Sequence, residues 1–167
     1  NTLIYYVYGR KGVIHNMKFT CTKTNFNNGI NIALKAVPGK TTMPILECVV
    51  IEAKGDMVKL TTNDMQLGIE TKIPAEIEQD GIILVNAKMI SEIVRRLPDD
   101  DVNFEVDENN NILLFCGKSK FNIPGIPHDE FPMLPKIEAD KTIHISQFTL
   151  KEMIRQTIFS ISDNESN

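Results

Sequence analysis

The stretch MKFTCTKTNFNNGINIALKAV, residues 17–37, carries the pattern on which the rest of the chain is built. Its first part alternates, with Phe19, Cys21 and Lys23 on one face, as a strand does. Its second part places Phe26, Ile30, Ala33, Leu34 and Val37 at helical spacing. Thr24 or Asn25 would cap that helix, and Pro38-Gly39 would end it, which predicts a helix over 25–37. The opposite face carries Asn27, Asn31 and Lys35 and no acid. Three apolar runs follow, PILECVVIEA, MVKLTT and MQLGIETKI, separated by short turns at Lys54-Gly55-Asp56 and Asn63-Asp64, so antiparallel neighbours are expected.

The same order then recurs. A strand GIILV leads into the helix NAKMISEIVRRL, which Pro98 stops, and three runs VNFEV, NILLFC and KSKFNI come after it. Strand, helix and three strands, written twice, predict an α+β domain in which two helices lie side by side against sheets built from both halves. Pro124, Pro127, Pro132 and Pro135 make the next segment neither helix nor central strand, and it reads as an extended linker at a domain boundary. Beyond it, TIHISQFTLKEMIRQTIFSIS matches the opening stretch at a constant offset. Phe19 falls with Ile143, Cys21 with Ile145, Phe26 with Leu150, Ile30 with Ile154, Leu34 with Ile158 and Val37 with Ile161. The chain stops at Asn167, after the helix of that new copy, and so reads as a fragment of a longer repeat protein. Residues 1–16 fit no later pattern. An expression remnant, an extended gene start and an added edge strand are all compatible with them.

Composition excludes several classes. With 167 residues, 42% hydrophobic and 24% charged, the chain is long and apolar enough for a substantial core. No apolar run reaches the roughly 18 to 20 residues of a membrane span, and the opening lacks the features of a secretory signal, so a cytoplasmic location is expected. Cys21, Cys48 and Cys116 are odd in number and widely spaced, which predicts reduced, half-buried strand residues with neither a disulfide framework nor a zinc site. Net charge is -4, yet the stretch from Asn1 through Leu46 holds no acid and the six cations Arg10, Lys11, Lys18, Lys23, Lys35 and Lys40. A basic end on an acidic protein suits a polyanion partner or a solvated basic face.

Motifs for chemistry are sparse. PGKTT, at Pro38 to Thr42, looks like the end of a phosphate-binding loop, but Leu34 stands where that motif needs Gly and a helix precedes it where a strand should. His15, His128 and His144 stand singly in the sequence, and no Gly-x-Ser-x-Gly elbow is present. Asp99-Asp100-Asp101 could hold a cation but follows a helix stop, as a solvated turn does. Asn109-Asn110-Asn111 is read as a turn for the same reason. Asp64 lies between two strand runs, where a metal ligand, a general base or a turn former are the options, and Asn-Asp at such a break favours the turn.

Five motifs in order carry a family resemblance: MKFT at Met17, KTTMPIL at Lys40, TTNDMQLGIE at Thr61, RRLP at Arg95 and GKSKFNIPGIPHDEFPMLP at Gly117. Together they resemble the bacterial DNA polymerase III beta subunits, the replication sliding clamps. The resemblance implies the DNA-clamp fold, with residues 17–136 as the N-terminal clamp domain and 137–167 as the truncated start of the second, central domain. It further implies a head-to-tail dimeric ring around duplex DNA whose helices line the hole, with Lys35, Lys40, Lys88 and Arg95 facing DNA without reading sequence. Lys118, Lys120, Phe121 and Ile123 would form one side of the dimer joint, the lysines meeting acids on the partner and the apolar pair packing. Lys40 stands where relatives often place Arg. No catalysis, cofactor or metal is implied. Polymerase and clamp loader would bind a groove between the second and third domains, absent from this chain, which alone would not close a ring. Two rival readings predict otherwise. A small hydrolase would use Asp64 or Asp101, and a non-replicative β-rich interaction domain would bind an acidic partner through the basic end.

Overall fold

The computed structural model describes residues 17–135 and 143–160. Residues 1–16, the boundary expected at 136 and 137, and Ile161 lie outside them. The chain divides into two compact units, one ending at Leu134 and the other beginning at Pro135.

In the first unit, strand β1 (Met17–Thr22) runs without a loop into helix α1 (Lys23–Ala33), which tightens into a 3-10 turn at Leu34–Ala36. After a second 3-10 turn at Pro44–Glu47 come β2 (Cys48–Lys54), β3 (Met57–Asn63), β4 (Gly68–Pro74) and β5 (Glu76–Gln79). Strand β6 (Gly81–Asn86) passes directly into α2 (Ala87–Arg96), followed by β7 (Asp101–Val106), β8 (Asn111–Cys116) and β9 (Ser119–Pro124). The strands form two antiparallel sheets, ordered β5-β1-β7-β8-β9 and β4-β3-β2-β6. Each half therefore sends its first strand into the sheet made by the other half's triplet, and both sheets are built from both halves, as the repeated pattern predicts. The two helices pack on each other and against strands of both sheets.

The core is continuous across the exchange. Phe19 on β1 and Phe104 on β7 are register partners, with stacked rings whose centroids lie 4.8 Å apart. Phe26 of α1 meets both edge-on, at 6.0 and 6.1 Å. Such pairs add roughly 0.5–1.5 kcal/mol each beyond burial. At the other end of α1, the buried Thr62 hydroxyl donates to the Ala33 carbonyl at 2.6 Å, which satisfies a helix-terminal acceptor from β3. Gly29 lets α1 approach closely, because a Cβ there would lie 2.7 Å from Ile73 Cγ2 and 2.9 Å from Leu60 Cδ1.

Several expectations are corrected. The α1 cap is Thr22, whose hydroxyl accepts from the Asn25 amide at 3.2 Å, because the strand enters the helix two residues earlier than the apolar spacing suggests. Met65 and Leu67 belong to a turn, and β4 starts at Gly68. Pro44–Glu47 is a 3-10 turn led by its proline, so β2 begins only at Cys48. Strand β5 leaves no signature in the spacing, since Ile77 is its one apolar residue facing the core. The three cysteines are fully buried rather than half-buried.

The proline-rich segment is a packed strap rather than a free linker. Ile126 and Leu84 exchange backbone hydrogen bonds of 2.9 and 3.0 Å, which places the strap beside β6 as β5 lies beside β1. Phe131, 4% exposed, fills a small cluster with Cys48, Val50 and Leu84, and the Asn63 side-chain amide donates to the Pro132 carbonyl at 2.7 Å.

In the second unit, Ser146 caps α3 (Gln147–Thr157), and a 3-10 turn follows at Ile158–Ser160. The cap, helix and 3-10 turn repeat Thr22, α1 and Leu34–Ala36 at an offset of 124 residues. Leu150, Ile154 and Ile158, the counterparts of core residues, are 45%, 52% and 56% exposed.

Phe131→Ala is expected to lower unfolding stability by about 2–4 kcal/mol, since the strap would leave a cavity that its prolines restrain from collapsing. Urea unfolding followed by circular dichroism measures this.

Candidate nucleic-acid face

Helix α1 turns Phe26, Gly29, Ile30 and Ala33 inward, and α2 does the same with Ala87, Ile90 and Val94. The residues left outside are therefore Thr24, Asn28, Asn31 and Ile32 on α1, then Lys35 on its 3-10 extension. On α2 they are Lys88, Met89, Glu92, Arg95 and Arg96. Lys88, Glu92, Arg95 and Arg96 follow the one-turn spacing that makes a single stripe. Lys40 is exposed in the segment leading to Pro44, where the Thr41 hydroxyl accepts from the Met43 amide at 3.0 Å and holds the turn.

The cations of this face differ from two on the sheets. Lys18 lies 2.9 Å from Glu78 and 3.4 Å from Glu105, and Lys59 lies 2.6 Å from Glu52 and 3.7 Å from Glu70. The Glu78 and Glu52 hydrogen bonds raise the two lysines above the ordinary range. Lys35, Lys40, Lys88, Arg95 and Arg96 close no ion pair among the described residues. Their charge is available to an external anion. Arg96, next to Arg95 in sequence, is exposed and unpaired among the described residues in the same way.

The predicted joint residues divide. Strand β9 pairs only with β8, so its other edge is open, with Lys120 exposed on the outer face and Lys118 exposed in the turn before it. These lysines rim an open depression of about 430 Å³ lined by Leu113 and Phe115. Phe121 is half-buried toward the core, and Ile123, 2% exposed, lies inside it. Strand alternation turns Ile123 inward, away from Lys120 and Asn122.

Asp64 is a turn former. Its carboxylate accepts the amides of Gln66 at 2.9 Å and Leu67 at 2.6 Å, while its own amide donates to the Leu67 carbonyl at 3.1 Å. The Leu67 and Gln66 amides hold its pKa below the usual carboxylate range. The turn forces Met65 to φ 76°, a left-handed conformation unusual for that residue. Asp99 and Asp100 serve the start of α1, which has no acid of its own in its first turn. The Lys23 amide donates to the Asp100 carbonyl at 3.2 Å, and the Thr24 hydroxyl to the Asp99 carboxylate at 3.4 Å. No cluster of three metal-ligating side chains occurs among the described residues. Burial pushes the Cys21 thiol up to about 12, too high for a nucleophile at neutral pH. No helix among the described residues is long and apolar enough to cross a membrane.

The family model of the DNA polymerase III beta subunit, N-terminal domain, matches residues 17–135. The chain belongs to this family. It is 40% identical over 157 residues to the beta sliding clamp of Bacillus subtilis (strain 168), a match covering 89% of this chain and 42% of that protein. Among solved structures, a putative DNA polymerase III beta subunit from Eubacterium rectale shares 54% identity at a TM-score of 0.84, over 90% of this chain and 41% of that one. The DNA polymerase sliding clamp of Bacillus subtilis superposes at a TM-score of 0.85 with 39% identity, over 91% of this chain and 42% of that one. The chain spans about 42% of the length of the relatives it matches, and it shares with them the mixed α+β clamp fold with two antiparallel sheets.

Asp107 is held low like Asp64, by the Asn111 side-chain amide and backbone amides. A carboxylate whose folded pKa lies below its unfolded value contributes stability that is present above the unfolded value and lost as pH falls through the folded one. The double substitution Asp64→Asn with Asp107→Asn is therefore expected to flatten the fall in stability below about pH 4, read from melting curves at a series of acidic pH values.

Proposed function

We propose that this chain is the N-terminal domain, residues 17–136, and the opening of the central domain, residues 137–167, of a sliding clamp that encircles duplex DNA and tethers the replicative polymerase in the cytoplasm. The observation that carries this reading is the set of unpaired cations, Lys35, Lys88, Arg95 and Arg96, on the outward side of two mutually packed helices. With Lys40 they would meet phosphates of any sequence. Contacts of this kind are individually weak and salt-sensitive, which suits a protein that must move along DNA, and retention would come from ring closure. The open β9 edge with Lys118 and Lys120 would meet acids of a second copy in the complete protein, with Phe121 supporting the strand from within. Such a protein needs no catalytic group, cofactor or metal, because it acts by raising the polymerase's effective concentration at the template. Polymerase and clamp loader would dock on a groove formed by later parts of the protein.

The complete clamp carrying this domain, loaded by its loader on nicked circular DNA, is expected to stay on the circle and run off once the circle is cut. Equal retention on both forms would refute encirclement. Lys118→Glu with Lys120→Glu is expected to weaken self-association at least tenfold by sedimentation while leaving the melting temperature nearly unchanged, since both side chains are exposed and close no ion pair among the described residues.

A further inference from the structure

Helices α1 and α2 contain a single acidic residue, Glu92. It is exposed and occupies the middle of the α2 stripe, one turn from Lys88 on one side and from Arg95 and Arg96 on the other. A glutamate so placed ordinarily supports its helix through i,i+3 or i,i+4 pairs. Here it closes none with those three cations. Nor does it add packing, because the anchors of α2 are Ala87, Ile90 and Val94 on the opposite side. Among the described residues Glu92 thus has no ion-pair partner, and its charge acts outward.

We infer that Glu92 sets the looseness of the DNA contact, its carboxylate repelling the phosphates that Lys88, Arg95 and Arg96 attract. The inference rests on the encirclement reading above and concerns how freely the ring moves. Screening confines the repulsion to phosphates within about 8 Å at physiological salt, so it bears on the ones these cations would hold. A purely cationic stripe would lengthen each dwell and slow movement. A carboxylate at its centre shortens the dwell while leaving the net field of the face positive.

The test uses the complete clamp carrying this domain, fluorescently labelled and tracked on long duplex DNA with blocked ends. Glu92→Gln is expected to lower the one-dimensional diffusion coefficient about two- to threefold at low salt, with the difference vanishing at high salt. Its melting temperature should stay unchanged, whereas a structural role would shift melting and leave diffusion alone. If E92Q and E92K both diffuse as the parent does while Arg95→Ala diffuses faster, the role of Glu92 is refuted and the DNA-facing assignment of α2 stands. If Arg95→Ala also changes nothing, the assignment of α2 to the DNA side fails, and the inference falls with it. Loss of the protein from end-blocked DNA would refute encirclement itself.

Discussion

The exchange of first strands between the two halves is the constraint on which the rest of the unit depends. Because β1 pairs with β7 and β6 pairs with β2, neither half can complete a sheet alone. Phe19 finds its stacked partner, Phe104, only across that exchange. Each exchanged strand passes straight into its helix, with Thr22 and Asn86 serving as last strand residue and cap at once. The helices are thereby locked to the sheets without a loop to adjust their angle. Pairings of such long sequence separation are slow to form, so the unit should fold as one cooperative body rather than half by half.

The same constraint accounts for where the acids of the Asp99 turn went. α1 begins with Lys23 and lacks a first-turn acid, a poor start for a helix by itself. The strand exchange brings the turn that follows α2 to that start, where the Asp100 carbonyl and Asp99 carboxylate take up its donors. What resembles a cation site in the sequence is, in the fold, one half completing the helix of the other.

The duplicated order and the offset repeat were legible because both rest on buried apolar spacing, which tertiary packing enforces. The repeat proved faithful even at the caps, Thr22 and Ser146. Less legible were features that depend on a single side chain meeting something distant. β5 shows one inward residue, Ile77, too few for alternation to register. The strap reads as a linker by its prolines, and only the fold supplies the cluster of Cys48, Val50 and Leu84 that receives Phe131. Met65 and Leu67 look like strand residues until the Asp64 carboxylate collects the two amides that a ladder would need.

Charge on this unit is sorted by what surrounds it. Lys18 and Lys59 are held by carboxylates on neighbouring strands, so their charge is largely neutralised within the sheets. Among the described residues the helical cations have no such partner, because α1 offers no acid and the one acid of α2 stands unpaired. An isolated surface ion pair would have been worth little to stability, commonly about 0–1 kcal/mol. Leaving these cations unpaired therefore costs the fold almost nothing, while pairing them would cancel the field they present outward. Stability here comes from the exchanged strands and the aromatic core beneath them, so the charges of the helix surface are left without a structural task.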